Sequence, residues 1–372
     1  MSNYAVIGLG FGDEGKGITT DFLCSRLENP LVIRYCGGPQ AGHTVFHNNT
    51  SHVFSHFGSG TLRGVPTYWS KFCPVDPVGL MKEYEILVNK HVIPIIYLDK
   101  KAPIITPFEK VANRENSIYI KHGTCGVGVG MTIEREENKY SLTLDDLLNP
   151  CIFEIKLNTI RDSYSTRIRQ HADNYLDEFF KGCEYLKNKC EIVQNYYDIS
   201  VKYNNKVFES SQGLLLDPSI GFFPHVTRSN IGVRNIIKIS DRFLFLYLVT
   251  RAYQTRHGKG PMTNENIPHN ILSDSKETNV TNTFQGKFRR SLLDLDLLLY
   301  GINKEPYISQ RRTKATLVIT CLDHIVNEYR YTYKNKIHCC VDQEEFTKKI
   351  SHILNIYDVI PVTSRETDKI KL

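Results

Sequence analysis

The sequence predicts an α/β fold: a single large domain, residues 1–372, with a central, mainly parallel β-sheet flanked by helices. Two observations carry this expectation. Short apolar runs recur along the chain between polar, helix-like stretches, an alternation that implies helices packed on a parallel sheet. A glycine-rich segment, Gly8-Leu-Gly-Phe-Gly-Asp-Glu-Gly-Lys-Gly17, directly follows the first apolar run, where a strand must turn into a helix.

Taken in chain order, Ala5-Val-Ile7 is the first buried strand, and Lys16–Ser25 is the helix after the glycine-rich loop. Leu31–Tyr35 and Val92–Tyr97 are the next strands, and Ala172–Cys190 is a helix. Phe243–Val249 and Leu317–Thr320 follow as strands, again short and apolar throughout, as strands covered on both faces are. No internal repeat or low-complexity linker interrupts the pattern. Sheets of this type place ligands at the loops after the carboxyl ends of their strands.

Composition narrows the class. At 41% hydrophobic and 23% charged residues, the chain is an ordinary globular one, long enough for a substantial core. Its net charge of +6 suits anionic substrates. Lys and Arg are scattered, without dense interleaving with aromatics, so no nucleic-acid partner is expected. No segment approaches the roughly 18 apolar residues of a membrane span. With no signal-peptide pattern in Met1-Ser-Asn-Tyr4, no membrane partner and a cytoplasmic location are expected. The ten cysteines are expected to stay thiols, and their spacing offers no metal knuckle.

The glycine-rich loop spells two motifs. Gly10-x-x-x-x-Gly15-Lys16 begins a phosphate-binding P-loop, although Gly17 replaces the Ser or Thr that ligates magnesium. Gly10-x-Gly12-x-x-Gly15 matches the dinucleotide fingerprint, but the second strand ends in Arg34-Tyr35-Cys36-Gly37-Gly38, with no acid for a ribose. The expectation is therefore a P-loop-NTPase-like fold in which an acid of the loop, Asp13 or Glu14, supplies the missing metal ligand.

Further glycine-rich loops accompany it: Gly37–Val45, Gly123–Gly130, Glu209–Asp217, Phe223–Asn230 and Thr255–Pro261. In this order, with Gly286–Asp294 and Cys321-Leu-Asp323, they resemble the adenylosuccinate synthetase family from residue 4 to about 370. The family patterns GDEGKGK and GGNNAGHTV correspond to Gly12–Ile18 and Gly37–Val45.

The resemblance implies a ligase that joins L-aspartate to C6 of IMP through a 6-phosphoryl intermediate. GTP and Mg²⁺ drive it, and the active unit is a homodimer. By the same resemblance Asp13 is the base at N1 and a metal ligand, His43 is the acid at O6, and the Gly42 carbonyl is a second metal ligand. Lys16 and the loop residues Gly12, Glu14, Gly15 and Gly17 hold phosphate. Gln40, Ala41, Thr124, Cys125, Gln212, Thr227 and His257 face nucleotide, and Asp323 reads guanine. Gln285, Lys287 and Arg289 take aspartate.

Several of these positions depart from the family pattern, among them Gln40, Cys125, His257, Gln285, Lys287 and Cys321. They leave open dGMP as acceptor, as in a viral branch that makes the 2-aminoadenine precursor, and ATP or dATP as donor. Outside ligase chemistry, a GTPase-like switch or a non-catalytic nucleotide-binding paralogue shares the phosphate loop. Neither needs the His43 loop together with Arg289.

Overall fold

Among the described residues the strands are β1 (Ser2–Gly8), β2 (Pro30–Arg34), β3 (His43–His47), β4 (Thr50–Phe54), β5 (Thr67–Trp69), β6 (Ile96–Asp99), β7 (Glu191–Val193), β8 (Asn205–Gly213), β9 (Leu244–Arg251), β10 (Tyr253–His257), β11 (Phe288–Asp294), β12 (Lys314–Thr320), β13 (Tyr329–Tyr333), β14 (Lys336–Cys340) and β15 (Asp358–Pro361). The computed structural model describes residues 2–116, 124–240, 242–272, 286–309 and 314–370. Nine strands form one sheet in the order β15-β12-β9-β1-β8-β2-β5-β6-β7, and every pairing in it is parallel. The carboxyl ends of β1, β2, β8, β9 and β12 therefore come to one edge.

Strand periodicity divides the core. Val6, Val32, Val207, Val249 and Val318 pack with Phe22 and Leu23 of helix α1 (Lys16–Arg26) on one face. Ile7, Ile33, Phe208, Leu248 and Ile319 point to the other face and pack with Leu295 and Phe346. The β5–β6 half of the sheet has its own cluster, in which Trp69 and Leu98 meet Phe108 and Phe179. Helix α2 (Pro77–Asn89) and helix Leu176–Lys189 pack together beside it.

The expected strands are present, with two corrections. Val92–Tyr97 is a strand only from Ile96 to Asp99; Pro94 has no N–H for a ladder, and Ile93 is exposed. Ala172–Cys190 opens with a 3₁₀ turn over Ala172–Tyr175, and the α-helix covers Leu176–Lys189. Two smaller sheets stand beside the main one: the antiparallel hairpin β3–β4 and the four strands β10-β11-β13-β14. His43 thus begins a strand and does not sit in a loop.

Candidate active site

A cavity of about 1370 Å³ opens at the carboxyl edge of the main sheet. Phe11, Gly12, Asp13, Gly15, Lys16 and Gly17 of the glycine-rich segment line it. Gly15 has a left-handed φ of 96° and turns the chain into α1, leaving the first N–H groups of the helix without intrahelical partners. Gly17 explains the departure from a P-loop: a Cβ there would lie 3.0 Å from His43 Cβ and 3.3 Å from Ser59 Oγ. The space a Ser or Thr would take is filled by the hairpin that carries His43.

The two acids of the loop have separate environments. Glu14 turns beneath the loop, buried, and its Oε1 accepts the N–H groups of Gly10 at 3.0 Å and Gly12 at 2.8 Å. Its Oε2 meets Lys16 Nζ at 2.5 Å; burial pushes its carboxyl up, but this ion pair and the Gly12 N–H hold it below the usual range. Asp13 faces the cavity with a left-handed φ of 63°. Burial raises its carboxyl above the ordinary value, against the opposing charges of His257, Arg251 and Lys16. His257 Nε2 stands 3.4 Å from Asp13 Oδ2, and its Nδ1 is buried without a partner among the described residues.

His43 is oriented from behind. Its Nδ1 lies 2.6 Å from Glu209 Oε1, and Glu209 also accepts from Ser59 Oγ and Ser59 N–H. Arg34 Nη1 is 3.6 Å from Glu209 Oε2. These cations and donors keep the buried Glu209 carboxyl near 2. An ionised Glu209 makes Nδ1 the protonated nitrogen, so Nε2 is left for the cavity, buried and unpartnered among the described residues. Burial lowers the His43 pKa, opposed by Glu209.

Most residues expected at the site line this one cavity: Gly12, Asp13, Gly15, Lys16, Gly17, Gln40, Ala41, Gly42, His43, Thr124, Cys125, Gln212, Thr227, His257 and Asp323. Gln40 Oε1 and Gln212 Oε1 are buried there without partners among the described residues. Thr124 Oγ1 donates to Asn113 Oδ1 at 2.8 Å, below helix α3 (Pro107–Glu115). Glu14, Lys287 and Arg289 are not among the lining residues. Arg289 stands just behind the wall, donating Nη2–H to the carbonyl of Gly260, which does line it. Gln285 lies outside the described residues.

No sequence motif singles out Arg34, Glu209 or Arg251 as site residues. Each had a visible signal: a charged residue at or just beyond an apolar strand must be paired if the strand is buried.

The chain is similar to known proteins over nearly its whole length. A family model described as adenylosuccinate synthetase matches residues 5–371. The adenylosuccinate synthetase of Borrelia recurrentis is 30% identical, covering 98% of this chain and 92% of the relative. That of Thermoplasma volcanium is also 30% identical, over 80% of this chain and 71% of the relative. Among solved structures, fully ligated adenylosuccinate synthetase from Plasmodium falciparum superposes with a TM-score of 0.79 at 18% identity, covering 99% of this chain and 98% of the other. The cyanophage S-2L succinoaminodeoxyadenylate synthetase, bound to dGMP and dATP, gives 0.67 at 11% identity, with 100% and 95% covered. The chain belongs to the adenylosuccinate synthetase family, ligases that form a carbon–nitrogen bond.

Proposed function

We propose that the chain joins L-aspartate to C6 of IMP, with GTP as phosphoryl donor, through a 6-phosphoryl intermediate. The observation that carries this reading is the convergence of the Asp13 carboxylate, the unpartnered His43 Nε2 and Lys16 on one cavity. A carboxyl raised by burial suits a base that takes the N1 proton while O6 attacks the γ-phosphorus and the nucleoside diphosphate leaves. His43, backed by Glu209, stabilises O6 and the departing phosphate as the amine of aspartate adds to C6.

Magnesium fits the donor set. Among the described residues no group of three His, Cys, Asp or Glu could hold a metal, so an ion here would rest on one carboxylate, a carbonyl and ligand oxygens, as Mg²⁺ tolerates. Asp13 and the Gly42 carbonyl would hold it, both being at the cavity wall. When bound it neutralises charge on the transferring phosphoryl group. The reading includes a homodimer as the active unit and a cytoplasmic setting; no cysteine is in a disulfide, and no described helix is long and apolar enough to cross a membrane.

A second acceptor, dGMP, is favoured by one observation. Gln40 Oε1 and Gln212 Oε1 are unpaired acceptors in the wall, and the 2-amino group of guanine is a donor. The deciding assay is phosphate release with Mg²⁺ and aspartate, crossing IMP, GMP and dGMP with GTP, ATP and dATP. Aspartate-dependent release with IMP supports the first reading, and release confined to dGMP the second. Release without aspartate or acceptor refutes both.

A further inference from the structure

Three consecutive carbonyls of the phosphate loop are held by side chains from outside it. Thr255 Oγ1 donates to the Gly12 carbonyl at 3.0 Å, Arg251 Nε to that of Asp13 at 2.5 Å, and Thr320 Oγ1 to that of Glu14 at 2.7 Å. The middle bond differs in kind. It is charge-assisted, and it grips the one residue of the three with both a left-handed backbone and a side chain facing the cavity. Fixing that peptide fixes the direction of the Asp13 carboxylate.

Arg251 is held in turn. Its Nη1 donates to the Tyr253 hydroxyl oxygen at 2.8 Å. The same hydroxyl is hydrogen-bonded to His324 Nδ1, also 2.8 Å away, with the two rings stacked at 6.0 Å and 25°. All three are buried, and Arg251 and His324 line the cavity. His324 adjoins Asp323, the residue that the family resemblance implies as the reader of the donor's guanine, GTP being the donor in the proposed function. The bonds run without a gap from Arg251 through Tyr253 to His324, so none of the three can turn without breaking its neighbour's bond.

We propose that Arg251 is the positioning residue for Asp13, and that Tyr253 and His324 transmit that positioning from the donor-base end of the cavity. A donor base seated against Asp323 presses on a ring already tied to Arg251, so occupancy of that end orders the loop at the other. The proposal rests on the proposed function for the identity of the donor end.

The test uses Tyr253→Phe, which keeps the ring and removes the hydroxyl, and Arg251→Lys, which keeps the charge and removes the fork. In steady-state assays, Tyr253→Phe lowers kcat about tenfold, through loss of the hydroxyl that ties Arg251 to His324. Arg251→Lys lowers it about 10²-fold by misplacing the carboxylate. KM for acceptor and aspartate stays within about twofold in both, since both variants act through the placement of Asp13. In the Arg251→Lys background, Tyr253→Phe adds no further loss, because both act through one chain. His324→Phe raises KM for the donor in either background but lowers kcat only when Arg251 is present.

Multiplicative kcat losses in the double variant overturn the proposal, as does an unchanged kcat in Tyr253→Phe. Amide hydrogen exchange across Gly12–Lys16 supplies a readout that needs no turnover: both variants speed it about tenfold or more. Unchanged exchange overturns the positioning role. A wild-type protein with no aspartate-dependent phosphate release refutes the proposed function instead, and the exchange result still decides the role of Arg251.

Discussion

His43 Nδ1 and Glu209 Oε1 lie 2.6 Å apart at the junction of β3 and β8, both buried, with Arg34 completing the charge balance behind them. The carboxylate fixes one tautomer and aims Nε2 at the cavity. Glu209→Gln keeps the volume but cannot support an imidazolium. The expected result is a fall in kcat of about 10²-fold, the lower end of what acid–base catalysis contributes. KM for the nucleotides should change little, because Glu209 is not among the cavity-lining residues. Initial-rate kinetics check this, and a kcat near the wild-type value removes the pair from catalysis.

Two buried carboxylates make the fold acid-sensitive. Glu209 and Glu83 are both held near 2, from an ordinary 4.5. Glu83, on α2, accepts the N–H groups of Ser55 at 3.0 Å and His56 at 2.8 Å, with the His52 and His56 rings beside it. It thereby ties the hairpin that carries His43 to α2. A carboxyl lowered on folding stabilises fully above its unfolded pKa, and that contribution is lost as pH falls from 4.5 toward 2. Each is worth about 3 kcal/mol at neutral pH. His43 acts in the same direction, since burial lowers its pKa and the unfolded chain takes up its proton first, below about 6.5. Urea midpoints should therefore decline slightly from pH 7 to 5 and steeply below 4.5. Glu83→Gln should flatten the steep part, and an unaltered profile would contradict the assignment.

Much of this architecture is legible in the sequence because buried parallel strands leave short apolar runs; Ala5–Ile7, Leu31–Tyr35, Phe243–Val249 and Leu317–Thr320 all fall within or along observed strands. The site loops are legible for a related reason, as close approach of backbones demands glycine. What escapes is pairing across long sequence distances. Nothing local in Glu209 indicates that it supports His43, 166 positions away, or in Arg251 that it grips Asp13, 238 positions away. The β10-β11-β13-β14 sheet escapes because strands such as Tyr329–Tyr333 are polar and partly exposed, so their period carries little contrast.

Gly17→Ser restores the residue a conventional phosphate-binding loop would carry, yet it should harm this protein. The new Cβ would crowd His43 Cβ at 3.0 Å and the Thr44 carbonyl at 3.3 Å. Overpacking of this kind costs about 1–3 kcal/mol, and displacing His43 lowers kcat. Urea unfolding and initial rates on the same preparation test both effects. A stable, more active variant would mean that the hairpin can yield and that Gly17 is not there to admit His43.

Arg256 and Arg289 face each other in the β10–β11 register, and this pairing predicts how aspartate is admitted. Burial and the neighbouring Arg289 pull the Arg256 pKa down to about 10, against the opposing charge of Glu265. Glu265 supplies one carboxylate, with both its oxygens within 2.9 Å of Arg289 Nη1, while Arg289 Nε is buried without a partner among the described residues. If Arg289 grips a carboxylate of aspartate, Glu265 occupies the same guanidinium and must be displaced. Glu265→Gln should then lower KM for aspartate about tenfold, the value of one charge-assisted bond, with kcat unchanged. Arg289→Leu should raise the same KM by at least as much. Saturation curves in aspartate at fixed nucleotide separate the cases: opposite shifts in the two variants support competition for Arg289, whereas an unmoved KM in both removes it from the aspartate site.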